Sequence, residues 1–307
     1  MARKEISNDY LEYLPNGTAS EKVTKGCLVL EGGAFRGIYT SGILDFLMQH
    51  DINFECVVGV SAGALNGVNY VAGQIGRAAH INLRYRNDPR YVGRKCYATN
   101  GGVIGFDFIL GDMEYIPTLD VKRLMFGGRR FVAAASNMVT AKTDYFENND
   151  SIEKLYKGVQ ASATMPYISK PVMIDDVPYL DGGCIARVPY KWAIDQGYEK
   201  IVVVRTRDLS YRKKPNYERR YMFTKRIFSK YPEFAEIIAH SHDGYNKECD
   251  ELEKLAKDGR IFMISPTKPI TIGRLEKNVD KLAKLYNDAL IDAGDYYPKL
   301  VKYLNAK

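Results

Sequence analysis

Residues 56–76 pass without a single charged side chain. A run of that length is long enough to cross a membrane. It nevertheless holds Gly59, Gly63, Gly67, Gly73 and Gly76 together with Ser61, Asn66 and Asn69, whereas a span is predominantly apolar. Divided into pieces it reads as a soluble core. Val57-Val58-Gly59-Val60 has the form of a buried strand, Ser61 sits at a turn, and residues 62–72 form a helix hidden by its neighbours. Such a unit needs cover on every side, and a chain of 307 residues is large enough to supply it.

The same unit occurs earlier. Cys27-Leu28-Val29-Leu30-Glu31 is a short apolar run that meets Gly32-Gly33, and residues 38–49 then place Ile38, Gly42, Leu44 or Asp45, and Met48 at helical spacing. Further short runs rich in β-branched residues or alanine lie at 131–136, 201–206 and 261–265. Residues 171–181 read as two strands joined by an Asp175-Asp176 turn, which puts Asp181 at a strand end just before Gly182-Gly183. From Val279 onward, Leu282, Leu285, Ala289 and Leu290 mark a terminal amphipathic helix. Strands alternating with helices of this length predict an α/β fold: a three-layer α/β/α sandwich around a mainly parallel sheet, with a helical C-terminal extension. Residues 1–25 read as a polar leader with little to offer the core, 26–206 as the catalytic core, and 207–307 as a region completing the same domain.

The five cysteines, Cys27, Cys56, Cys96, Cys184 and Cys249, are scattered and odd in number, poor material for a disulfide framework. The first residues lack an apolar signal region. Both features predict a cytoplasmic protein, peripheral at a membrane if it meets one. The net charge of +7 is concentrated in residues 205–230, which alone carry +8 and interleave Tyr211, Tyr217, Tyr221, Phe223, Phe228 and Tyr231 with the cations. One reading is a solvated loop and helix face; the sharper one is a docking surface for anionic lipid. No nucleic-acid module accompanies it, so nucleic acid is not expected as a partner.

Three motifs carry chemistry. Gly59-Val60-Ser61-Ala62-Gly63 matches G-x-S-x-G between a strand and a helix, the setting that exposes a nucleophilic serine on a sharp turn. Gly32-Gly33-Ala34-Phe35-Arg36-Gly37 also lies between a strand and a helix, where consecutive backbone N–H groups can stabilise an oxyanion. A nucleotide cradle is the rival, but Ala34 stands where a dinucleotide fingerprint needs glycine, and no Walker motif occurs. The base is the third element. His50 and His80 are poorly placed for a Ser-His-Asp triad; His240 and His242 follow Ser61 in chain order but sit in a segment read as lying off a helix. Asp181-Gly182-Gly183 offers a carboxylate at a strand end instead.

Taken together these pieces resemble the patatin-like phospholipase family. Glu31 to Gly37 is similar to its oxyanion loop, Gly59 to Gly63 to its nucleophile elbow, and Asp181-Gly182-Gly183 to its catalytic aspartate block. Ala161-Ser162-Ala163-Thr164-Met165-Pro166 resembles its A-S-x-x-x-P segment, and Thr143-Asp144-Tyr145-Phe146 its T-D strand. The resemblance covers about residues 26–206. It implies a patatin-like fold and a lipid acyl hydrolase acting on a phospholipid, lysophospholipid or other acyl ester, with no cofactor and no metal. It further implies a Ser61–Asp181 dyad, and an oxyanion hole drawn from Gly32, Gly33, Ala34, Arg36 and Gly37. Two positions depart from the family: Ala34 replaces its third glycine and Glu31 its usual aspartate. Alanine keeps the amide donor if its φ is negative. The competing readings are a non-catalytic lipid-binding protein of the same fold and a conventional Ser-His-Asp esterase.

Overall fold

The computed structural model describes residues 9–111, 113–214 and 218–306. Among them an eight-stranded sheet is built from β1 Thr24–Leu30, β2 Phe54–Val60, β3 Arg130–Asn137, β4 Thr143–Glu147, β5 Val172–Ile174, β6 Val177–Asp181, β7 Ile201–Val204 and β8 Phe262–Ile264. The strand order is β8-β7-β1-β2-β3-β6-β5, with β4 also paired to β3. From β8 to β3 the strands are parallel, while β4 and β6 run antiparallel to β3 and β5 antiparallel to β6. The expected Asp175-Asp176 turn joins β5 and β6, with φ of 49° and 61° at its two residues, the left-handed pair that a tight hairpin requires.

Successive residues of the central strands point to opposite faces, and both faces are covered. Leu28, Leu30, Val57, Val202 and Val204 pack with α1 Ile38–Gln49, α2 Ala62–Val71, α3 Ile152–Ser162 and α7 Val279–Asn305 in the larger core. Cys27, Val29, Val58 and Val203 face the other way, against Trp192 of the short helix Tyr190–Asp195 and Leu252 of α6 Ser241–Lys257. The architecture is therefore the predicted sandwich. The charge-free run is β2, the Ser61 turn and α2, and no described helix is long and apolar enough to cross a membrane. A third, smaller core of Phe228, Phe234 and Ile238 joins α4 Glu218–Ile227 to α5 Pro232–Ala239.

Of the leader, Leu11 and Ala19 are buried in the larger cluster. Two sequence expectations are corrected. Arg205, counted with the basic docking run, is 1% exposed. It stands one residue past β7 and pairs with Glu31 at 3.0 Å, because burying a guanidinium demands a carboxylate partner. His242 lies in the first turn of α6 rather than off a helix. Residues 215–217 of the basic run lie outside the described residues.

Candidate active site

β3 is the template that brings Ser61 and Asp181 together. On one edge it carries β4 throughout Val132 to Ser136. Its other edge is shared: β2 pairs as far as Val60 opposite Ala134, and β6 continues with Asp181 opposite Ala135. The residue after Val60 and the last residue of β6 thus meet where two strands abut. Both side chains line one cavity, and the neighbouring Ser61 hydroxyl is among the groups that lower the Asp181 pKa.

The elbow explains its own motif. Ser61 has φ 56° and ψ −123°, a conformation that costs a non-glycine residue about 1–3 kcal/mol and persists only where its surroundings enforce it. A Cβ at Gly63 would stand 2.4 Å from the Leu30 carbonyl oxygen, and one at Gly59 would stand 2.6 Å from the Ala64 nitrogen. Only hydrogen fits at either side of the turn. The Ala161–Pro166 block clamps both candidates: the Ser61 amide donates to Ser162 Oγ at 2.9 Å, and the Asp181 amide donates to the Thr164 carbonyl at 2.8 Å. Ser136 Oγ donates to the Asp181 carbonyl at 2.9 Å. Asp144, in the T-D block, is a brace, accepting from Asn137 Nδ2 and the Tyr179 hydroxyl at 2.8 Å each.

Asp181 is 9% exposed. Burial holds its carboxyl above the usual range, because a charged carboxylate loses water there; the Ser61 hydroxyl, the Gly183 amide, and the nearby Arg274 and Arg187 pull it partly back. The Gly183 amide bond to Oδ1 is 2.8 Å. The result is a carboxylate more basic than a free one, held against an alcohol.

The glycine loop is narrower as a donor set than its sequence suggests. The Gly32 amide is spent on the Arg187 carbonyl at 3.4 Å, the Arg36 amide on the Gly33 carbonyl at 3.2 Å, and the Phe35 amide on the Arg274 carbonyl at 3.1 Å. Gly37 serves packing, its carbonyl accepting from Ser41 Oγ and Asn66 Nδ2. Gly33 and Ala34 are left, both lining the cavity. Ala34 does not have the negative φ expected of it: its φ is +49°, the left-handed region, so alanine keeps its amide N–H here but carries the strain a glycine would not. Glu31 is no donor. It is 2% exposed and accepts from Arg205 Nε, the Thr206 amide and the Tyr245 hydroxyl, tying the loop to β7 and α6.

Of the histidines, His240 bonds Glu236 and His242 Nδ1 the Lys214 carbonyl; His242 also borders the cavity. Sequence reasoning missed Arg187 and Arg274, which line the cavity but have no motif around them. It also missed a second, mostly apolar cavity that meets the first at Ala34, Ser61 and Met165 and runs between Leu65, Ile81, Ile109 and Leu275.

Comparisons with known proteins bear on the family. The model of the family described as patatin-like phospholipase matches residues 28–194, more than half of the chain, and a model described as a domain of unknown function (DUF6363) matches 231–305. An uncharacterized protein of Escherichia coli, YjjU, is 28% identical over 264 residues, covering 84% of this chain and 73% of its own. Lysophospholipase NTE1 of Scheffersomyces stipitis is 25% identical over 182 residues, 58% of this chain but only 11% of that much longer protein. Among solved structures, VipD from Legionella pneumophila aligns with a TM-score of 0.45 at 12% identity, covering 92% of this chain and 68% of that one. With the family model spanning the glycine loop, the serine turn and the aspartate that meets it, this chain belongs to the patatin-like phospholipase family.

Proposed function

We propose that this protein is a serine acyl hydrolase cleaving ester-linked lipid, with Ser61 as nucleophile and Asp181 as base. The observation that carries the reading is the meeting of Ser61, on its strained turn, with the buried Asp181 in one cavity, where that cavity joins a second, mostly apolar one. Asp181 takes the Ser61 proton as Oγ attacks the ester carbonyl, and the Gly33 and Ala34 amides face the developing oxyanion. The tetrahedral intermediate collapses, Asp181 returns the proton to the leaving alcohol, and an acyl-serine remains. Water then gives a proton to Asp181 as it attacks the acyl carbon, and Asp181 passes that proton to Ser61 Oγ as the acyl–oxygen bond breaks, releasing the fatty acid and restoring both side chains. The apolar cavity takes the acyl chain. Membrane contact is assigned to α4, where Met222, Phe223 and Ile227 are exposed beside Lys225 and Arg226.

A fluorophosphonate probe is expected to label the wild-type protein and not Ser61→Ala. Asp181→Asn should lower esterase turnover by about 10²–10⁴-fold, the usual worth of a general base. Replacing His240 and His242 together should leave turnover within about twofold, a small fraction of what a general base supplies. Loss of activity in that double variant, with Asp181→Asn still active, would return the reaction to a Ser-His-Asp enzyme. A protein that never labels is the non-catalytic lipid binder.

A further inference from the structure

The cavity holding Ser61 is rich in cations. Arg36, Arg207 and Arg274 all line it, and among the described residues none of the three is in ion-pair contact with a carboxylate. Of the acids nearby, Glu31 pairs with Arg205, Glu248 stands 3.8 Å from Arg187, and Asp181, the proposed base, feels Arg274 without an ion-pair contact to it. Arg36 is 8% exposed, yet its Nε has no hydrogen-bond partner. A buried guanidinium N–H left unpaired is costly. Burial, and then the charges of Arg207 and Arg274, push Arg36 down to about 10. Arg207 is braced by the Ile270 carbonyl at 2.7 Å and stacks on Tyr211 at 4.2 Å. The loop of Arg274 is fastened to the glycine turn through the Phe35 amide. Arg207 and Arg274 both lie outside residues 28–194, the part matched by the family model.

We infer that this arginine cluster is the headgroup site, and that it selects acyl esters whose phosphate carries no compensating cation. The inference rests on the hydrolase reading above and adds to it the class of substrate. The chemistry is direct. Guanidinium groups match phosphate oxygens in bidentate geometry, and three of them line this one cavity. A quaternary ammonium on the headgroup would be brought toward three uncompensated cations and repelled, which is discrimination by an opposing charge. The acyl chain then occupies the apolar cavity, the ester lies over Ser61, and the phosphate lies among the arginines.

The test uses substrates with one acyl chain and three headgroups: lysophosphatidylglycerol, lysophosphatidylcholine and monoacylglycerol. All are presented in uncharged detergent micelles so that interface charge stays constant. The expected result is a kcat/KM for the anionic substrate at least tenfold above the choline one. In Arg274→Gln, and more so in the Arg207→Gln, Arg274→Gln double variant, that ratio falls toward unity, most of the change appearing in KM. Arg274 is exposed, so the single variant guards against a folding failure of the double. A wild-type ratio near one, or a ratio that both variants keep, overturns the inference. Inorganic phosphate is the second arm. If the cluster takes free phosphate instead, millimolar phosphate alters monoacylglycerol turnover while wild type shows no headgroup preference, and the headgroup assignment falls. Calorimetric binding of the two lysophospholipids to Ser61→Ala protein reads the preference without turnover. A protein that binds selectively but never hydrolyses refutes the hydrolase and keeps the site; one that hydrolyses without preference does the reverse.

Discussion

Asp181 is poised by opposing influences on one carboxyl group. Burial raises its pKa, and the cation of Arg274 is among the influences that lower it. Because the base must be ionised to accept the Ser61 proton, kcat/KM should rise with pH through an acid limb set above the ordinary carboxylate value of about 3.9. Removing a cation disfavours the charged form, so Arg274→Gln should move that limb to higher pH. The pH profile of monoacylglycerol hydrolysis checks this, and a limb that stays put or moves down would contradict the assigned base. Much of this site was legible beforehand: Ser61, Asp181, Gly33 and Ala34 each stand in a local pattern, two glycines beside a strand end or a G-x-S-x-G turn. The positive φ of Ala34 was not legible, because alanine gives no sign of a left-handed backbone. Nor was the loss of the Gly32 amide to Arg187, a contact across 155 residues of chain.

The elements were read with uneven success, for a physical reason. Residues 38–49 and 62–71 were legible as helices because a glycine turn precedes each and apolar spacing continues into it. The pairing of β6 beyond the end of β2 on β3 leaves no periodic trace, since it is a matter of which edge is vacant. The basic run shows the opposite failure: composition joined Arg205, buried at the end of β7, to α4, which is exposed. What remains of the docking surface is α4 itself, where Met222 is 69% and Phe223 56% exposed. Phe223 also stacks on Tyr167, at 5.8 Å between ring centres, and Tyr167 follows Met165 and Pro166, which line the cavity. A helix that rests its apolar residues in a lipid surface and its cations on anionic headgroups should bind anionic vesicles more tightly than zwitterionic ones. Cosedimentation should show that preference, weakening as salt rises past 0.15 M, where the screening length is about 8 Å. Met222→Ser with Phe223→Ser should reduce vesicle binding severalfold and leave the thermal midpoint unaltered. Equal binding to both vesicle types would remove α4 from the membrane reading.

Across the whole molecule, the N-terminal and C-terminal parts are fastened through buried acids that hold their protons unusually tightly. Asp45 on α1 accepts from the Gly76 amide at 2.7 Å and from the Tyr286 hydroxyl of α7 at 2.8 Å. Burial nonetheless outweighs both bonds and raises it to about 7. Glu248 on α6 is likewise raised to about 7, first by burial and against the pull of Arg187. In the unfolded chain both carboxyls titrate near their ordinary values of about 3.9 and 4.3. Between roughly pH 4 and 7 the folded state therefore holds more protons than the unfolded one. The contribution of these two groups to stability falls as pH rises through that window and levels off above it. Each group contributes on the order of a few kcal/mol at most, in a direction opposite to that of a salt-bridged surface carboxylate, whose stabilising contribution grows as pH rises. Urea midpoints measured from pH 5 to pH 8 should decline for the wild-type protein. Asp45→Asn combined with Glu248→Gln keeps both positions uncharged at every pH and should flatten the decline, leaving the double variant the more stable protein at pH 8. A wild-type midpoint that rises over the same interval would mean that these two carboxyls are ionised in the fold, and that the α1–α7 contact at Asp45 and the Glu248–Arg187 contact are built on charge rather than on bound protons.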